Sequence, residues 1–61
     1  GMLYVDLDDS FDAVIYNYQG QVVMREYNND GVIDMSNLTA GIYFVEIRNN
    51  NNVIVEKIIV K

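Results

Sequence analysis

Apolar and polar residues alternate along most of this chain. The alternation is clear within residues 3–7 and again within residues 42–48, where Tyr43, Val45 and Ile47 share one side. A period of two is typical of a β-strand with one buried face, because successive side chains point to opposite sides of a sheet. The pattern therefore predicts an all-β fold.

Six short strands follow from this pattern, joined by polar or glycine-containing turns. Ala13 and Ile15 are expected to face inward, and the fifth strand is expected at the centre of its sheet. The last strand has apolar residues on both sides, so its facing stays open and both sides are candidates for burial. Short strands without a long helix predict a small antiparallel β-sandwich. The predicted strands span residues 3–7, 11–18, 22–27, 32–35, 42–48 and 53–60.

Glycine and asparagine residues mark the turns. Gly20 reverses the second strand, because glycine adopts positive φ at little cost, and the segment 28–31 ends in another glycine. The connection 36–41 is expected to hold Leu38 beneath it. Ser36 is a candidate cap for a single helical turn in this connection.

The composition limits the size and the support of the core. With 61 residues, of which 51% are apolar, the chain has room for one small hydrophobic core. It contains no cysteine and no histidine, so disulfides and histidine-ligated zinc are excluded and no cofactor is expected. Contact with a partner is the remaining source of extra stability.

Charge and hydropathy exclude two classes of partner. The formal net charge is -5, and the four basic residues are spread along the sequence, whereas nucleic-acid binding needs a clustered basic surface. No segment approaches the roughly 18 consecutive apolar residues of a membrane span. We therefore expect neither nucleic-acid binding nor a membrane span.

The inventory of reactive side chains argues against catalysis. Ser10, Ser36 and Thr39 are the only aliphatic hydroxyls, and the usual imidazole base is absent. Carboxylates are numerous, but their spacing indicates no catalytic pair. The sequence predicts a protein that is not an enzyme.

Asp6, Asp8, Asp9 and Asp12 form the one acidic cluster. Calcium is bound by several oxygens gathered on a turn, but this spacing lacks the central glycine and final glutamate of an EF-hand loop. A solvated acidic turn is the favoured interpretation, and calcium binding is the alternative.

Two other patterns have both a functional and a structural interpretation. Residues 37–39 match the N-glycosylation sequon, although a structural turn is favoured there. Tyr16, Tyr18 and Tyr27 could form a stacking platform for a ligand, whereas packing within the sheets is the favoured role.

The last predicted strand differs from the others in its long β-prone runs. Segments 53–55 and 58–60 are wholly Val and Ile, with Glu56, Lys57 and Lys61 as the only nearby charges. A terminal strand is readily placed at a sheet edge, where its unpaired backbone groups are available to a partner. Simple pairing inside its own domain is the alternative. We also expect weak self-association through strand edges.

Three blocks of this sequence, residues 13–23, 33–45 and 56–61, resemble the C-terminal sorting domains of the type IX (Por) secretion system of Bacteroidetes-type bacteria. The centre of the resemblance is a Leu-x-x-Gly-x-Tyr pattern formed by Leu38, Gly41 and Tyr43. The Tyr-Pro-Asn-Pro stretch that commonly opens such domains is absent. The blocks are also similar to small secreted Ig-like domains, which leaves an interaction or structural module as the alternative function.

The resemblance implies a small Ig-like sandwich over residues 2–61, attached at the C-terminus of a longer secreted or cell-surface protein. It implies that Gly20 is the hairpin glycine and that Leu38, Gly41 and Tyr43 form the central motif. A protein of the secretion machinery would be the partner, recognising the C-terminal edge strand. The residues of that recognition strand would be Glu56, Lys57, Ile58, Ile59, Val60 and Lys61.

Overall fold

The computed structural model describes residues 1–61 and contains six β-strands and no helix. The strands form two antiparallel sheets, so the predicted small all-β sandwich is confirmed. Their bounds are Met2–Tyr4 (β1), Phe11–Asn17 (β2), Val22–Asn29 (β3), Val32–Asp34 (β4), Gly41–Asn49 (β5) and Asn52–Val60 (β6).

The larger sheet has four strands in the order β3-β2-β5-β6, and the smaller sheet pairs β1 with β4. β5 therefore lies between two neighbours, as its pattern predicts. β6 follows β5 through a tight turn in which Asn50 has a φ of +53°, a conformation that asparagine tolerates. β6 lies at one edge of the larger sheet and β3 at the other.

The core lies between the two sheets and is entirely apolar. Ile15, Ile33 and Val45 have no measurable exposure, and they come from β2, β4 and β5 respectively. Their burial confirms the inward sides predicted for the second and fifth strands. The eight buried residues are Phe11, Ala13, Ile15, Ile33, Met35, Tyr43, Val45 and Ile47.

The first strand is shorter than predicted. β1 ends at Tyr4, although the alternation continues to Leu7, because its partner β4 is only three residues long and offers no further ladder. Val5 makes one last hydrogen bond, donating its amide to the carbonyl of Gly31 at 2.8 Å. Val5 and Leu7 still pack against the core from outside the strand.

The predicted cap at Ser36 is wrong, because no helical turn follows it. Asp34 is the acceptor instead: its carboxylate accepts hydrogen bonds from the Ser36 amide at 2.9 Å and from the Ser36 hydroxyl. The Leu38 amide then donates to the Met35 carbonyl at 3.1 Å. Leu38 is half-buried against the core, as expected for a residue beneath this connection.

The expectation that both sides of the last strand could be buried is also wrong. Val53, Val55 and Ile59 are 56%, 59% and 61% exposed, and only Ile58 and Val60 are half-buried. The smaller sheet has just two strands and covers little of β6, and no third layer lies on the opposite side.

Candidate recognition edge

β6 is hydrogen-bonded along one side only. It pairs antiparallel with β5 without interruption, from Asn52 opposite Asn49 to Val60 opposite Gly41. None of the remaining hydrogen bonds involves residues 53–61. In an antiparallel strand alternate residues direct their amide and carbonyl groups to each side, so the free edge of β6 presents a row of unpaired backbone groups.

The register with β5 assigns the two faces of β6. Residues directly opposite each other share a face, and Tyr43, Val45 and Ile47 of β5 are buried between the sheets. Their partners on β6, Ile58, Glu56 and Ile54, therefore face the inner side, as does Val60. The outer face of β6 carries Val53, Val55, Lys57 and Ile59.

The charges of β6 have no ionic partner. Glu56 and Lys57 are both exposed, and the chain's single ion pair joins Arg48 and Glu46 of β5 at 2.8 Å. The Glu46 carboxylate accepts a hydrogen bond from Arg48 and raises the pKa of that guanidinium above its usual value. Glu56 and Lys57 remain available for charges on another chain.

An open groove runs between β1 and β6, on the inner side of the edge. It consists of two depressions of about 320 and 340 Å³, and Leu3 and Ile58 line both of them. Asp6 and Glu56 border one depression and Lys61 borders the other. The groove therefore has an apolar floor and charged ends.

Residues of the central motif lie directly beside the last strand. Gly41 is opposite Val60, and Tyr43 is opposite Ile58. The Tyr43 hydroxyl donates a hydrogen bond of 2.7 Å to the Thr39 carbonyl, which ties the 36–41 connection to the start of β5. Sequence reasoning named these positions but could not place them against β6, because register is not visible in a single sequence.

Gly20 lies at the other side of the larger sheet. It has a φ of +83° in the turn between β2 and β3, where the Asn17 carboxamide oxygen accepts hydrogen bonds from the Gln19 and Gln21 amides. β5 separates this hairpin from β6. The structure therefore does not bring Gly20 to the recognition edge.

The remaining sequence candidates do not converge on a site. Asp12 accepts a hydrogen bond from the Asn28 amide at 3.1 Å, and no three acidic side chains of the chain meet closely enough to hold a metal ion. Tyr18 and Tyr27 are 72% and 69% exposed. No depression is lined by more than one of the three candidate tyrosines. Residues 37–39 lie in the connection before β5, with Asn37 exposed.

One feature of the surface was missed by sequence reasoning. Three of the four basic residues lie on the outer face of the larger sheet, because each is opposite a residue of that face on the neighbouring strand. The pairs are Arg25 with Val14, Arg48 with Asp12, and Lys57 with Phe44. These residues are scattered in sequence, and only the strand register shows that they share a face. Asp12 and Glu46 lie on the same face, so it is mixed in charge.

Comparison with known proteins gives the family. The structure contains no helix that could span a membrane. No curated protein and no solved structure shows a significant match to the chain. A family model described as the secretion system C-terminal sorting domain matches residues 1–61. Domains of this family are C-terminal sorting signals for type IX secretion and mark proteins that are secreted or exported to the cell surface. Because the match extends over every residue, the chain belongs to the family of secretion system C-terminal sorting domains.

Proposed function

We propose that the secretion machinery recognises this sorting domain through the free edge of β6, at residues Glu56–Lys61. The observation that supports the proposal is the difference between the two edges of the larger sheet. β6 pairs with β5 over nine residues without a break, whereas the pairing of β3 with β2 is shifted at two places. Such irregularities twist an edge away from additional strands, so β6 is the edge better suited to a partner strand.

The remaining motif residues support this edge and do not contact the partner. Tyr43 and Gly41 fix the start of β5, on which β6 pairs, and Leu38 packs beneath the connection that precedes it. Gly20 closes the hairpin at the far side. In this view residues 2–61 act as one Ig-like unit attached to a longer secreted protein, and the unit has no catalytic role of its own.

Export of a reporter tests the role of β6. Residues 2–61 are fused to the C-terminus of an exported reporter in a host that has the type IX machinery. We expect surface delivery to be lost on deletion of residues 56–61 and to be reduced strongly by Ile59→Lys, because Ile59, unlike Val55, borders one of the depressions beside the edge. Val23→Lys is the matched control, since Val23 is an exposed apolar residue of the opposite edge strand.

Folding of each variant is checked by circular dichroism and thermal melting of the isolated domain. Delivery that survives deletion of residues 56–61 would contradict the proposal. Equal loss with Val23→Lys and Ile59→Lys, both folded, would show that the two edges contribute alike and would also contradict it.

We also propose that the chain associates with itself only weakly through strand edges. If the β6 strands of two copies paired about a two-fold axis, they would be antiparallel in one continuous sheet, and residues of the same face would lie opposite each other. The register of greatest overlap would then place Glu56 opposite the Glu56 of the second copy. Of the two next registers, one places Lys57 opposite a second Lys57, and the other places Glu56 opposite Ile54 and Lys57 opposite Val53, where neither charge meets an opposite charge. Like charges directly opposite each other destabilise strand pairing. Sedimentation equilibrium should show dimers only near millimolar concentration; a strict monomer or a tight dimer would contradict this expectation.

A further inference from the structure

The side of the sandwich between β1 and β6 is built to receive another strand. β1 pairs only with β4, and β6 pairs only with β5, so each has a free edge on this side. The two depressions between them are adjacent, because Leu3 and Ile58 line both. The apolar floor is the part of the core that the two-stranded sheet leaves uncovered.

A single extended strand matches the shape of this groove. A strand added to a sheet lies about 4.8 Å from its neighbour, and every second side chain points to the inner face. On β6 the inner positions are Ile54, Glu56, Ile58 and Val60, all of which line the groove. Inward side chains of an added strand would lie over Leu3 and cover this floor.

The charges of Glu56 and Lys57 determine which residues suit the middle of the added strand. Glu56 faces inward and borders the same depression as Asp6, and neither carboxylate has an ion-pair partner, so a basic side chain opposite Glu56 is favoured. Lys57 faces outward and requires an acidic residue opposite it. Opposite charges directly across two strands stabilise pairing, whereas like charges oppose it. In an antiparallel strand the residue opposite Lys57 comes first, so the required order is acidic and then basic.

A second copy of the chain does not meet this requirement. In a two-fold symmetric pairing the registers of greatest overlap set Glu56 against Glu56, Lys57 against Lys57, or both charges against apolar residues, so none places opposite charges across the two strands. The groove is therefore suited to a strand from a different protein.

Resting on the proposed role of β6, we propose that the groove between β1 and β6 binds one extended segment of the partner protein, antiparallel to β6. Its inward residues are apolar opposite Ile54, Ile58 and Val60. An acidic residue lies opposite Lys57, and the basic residue that follows lies opposite Glu56. The partner strand thereby completes the open side of the sandwich.

The test uses two seven-residue peptides and the purified full chain. In both peptides apolar residues alternate with threonine except at positions 4 and 5, opposite Lys57 and Glu56, which are Glu-Lys in one peptide and Lys-Glu in the other. Binding is measured by fluorescence anisotropy and mapped by amide chemical shifts. We expect the Glu-Lys peptide to bind about fourfold to tenfold more tightly, with shifts confined to β1, β6 and the residues that link β1 to β2.

Variants of the chain reverse or remove the preference. The double variant Glu56→Lys with Lys57→Glu keeps the net charge and should favour the Lys-Glu peptide by a similar factor. Ile54→Lys, on the groove side, should weaken both peptides at least tenfold, whereas Val55→Lys, on the outer face, should change their affinity less than threefold.

Several results would overturn the proposal: equal affinity of the two peptides, unchanged preference in the double variant, shifts on the outer face of the sheet, or no saturable binding at millimolar peptide. These results concern the groove alone. If deleting residues 56–61 abolishes export of the reporter while the peptides are not discriminated, β6 is the recognised element but does not receive a strand of this chemistry.

Discussion

Gly31 and Val5 approach each other closely where the β3–β4 turn meets the end of β1. The Gly31 carbonyl accepts the Val5 amide at 2.8 Å, and a Cβ atom on Gly31 would lie 3.4 Å from the Val5 carbonyl oxygen. Gly31 also has a φ of +140°, a conformation that side-chain-bearing residues rarely adopt. This contact joins the larger sheet to the smaller one.

We therefore expect Gly31→Ala to lower the free energy of unfolding by about 2–3 kcal/mol, chiefly from backbone strain, because φ of +140° lies outside the left-handed helical region that alanine can adopt. Gly20→Ala is the matched control, because Gly20 has a φ of +83°, nearer that region, and an added Cβ would meet open space. Its cost should be about 1 kcal/mol. Urea denaturation of both variants checks the difference, and equal costs would show that the backbone at Gly31 is no more strained for alanine than the backbone at Gly20.

The hydroxyl of Tyr43 should contribute more to the stability of the fold than the hydroxyls of the other tyrosines. The ring is buried, and the hydroxyl donates to the Thr39 carbonyl at 2.7 Å and lies 3.3 Å from the Thr39 hydroxyl. Tyr43→Phe leaves a partly buried carbonyl without its donor, so the free energy of unfolding should fall by about 1–2 kcal/mol. Tyr16→Phe should change it by less than about 0.5 kcal/mol, because Tyr16 is half-buried and its hydroxyl makes no hydrogen bond. A similar loss in both would contradict this reading of the motif.

Isoleucine-to-valine substitutions should change the stability of the protein differently on the covered and uncovered faces of the larger sheet. Ile15 has no exposure, whereas Ile59 is 61% exposed. Loss of one methylene from Ile15 should cost about 1 kcal/mol, since packing leaves a small cavity. Ile59→Val should lie within about 0.5 kcal/mol of the parent protein. Thermal melting of the two variants checks this, and a cost at Ile59 equal to that at Ile15 would reveal a layer covering the outer face in solution.

The strands and the core were predictable because both depend on local alternation. Ala13 and Ile15 alternate with partly exposed residues, and a two-residue period is sufficient to assign them to the inside. Alternation likewise placed Tyr43, Val45 and Ile47 together on one side of their strand. Position 20 was predictable for a different reason, since glycine is favoured where φ is positive.

The size of the second sheet was not predictable from the same pattern. Residues 3–7 alternate as a strand should, but β1 stops at Tyr4 because only three residues of β4 are available for pairing. The short second sheet also explains why Ile54 stays exposed on the inner face, whereas Val55 and Ile59 lie on the outer face, which no layer covers. Alternation shows which side of a strand is apolar, whereas the burial of that side depends on how many strands of the opposite sheet lie over it.

The candidate site was predictable only in part. The β-prone composition of residues 53–60 indicates an edge, and β6 does lie at one. The groove beside it is lined by residues more than 50 positions apart, such as Leu3 and Ile58, and local patterns do not bring such residues together. Asp6 and Glu56 likewise border one depression only in the folded chain.

Acid should weaken the turn between β4 and β5 through Asp34. The Ser36 hydroxyl, and secondarily its amide, hydrogen-bond the Asp34 carboxylate and hold its pKa below the ordinary value of 3.8. A pKa lowered by folding stabilises the protein above the unfolded value, and this contribution is lost as the pH falls through the lower folded value. Ser36→Ala should therefore raise the Asp34 pKa toward 3.8, measured by carboxyl-carbon NMR, and should destabilise the fold more at about pH 6 than at about pH 2.5. Ser10→Ala, which lacks this contact, should leave the Asp34 pKa unchanged; an equal shift in both variants would rule out the hydrogen bond as its cause.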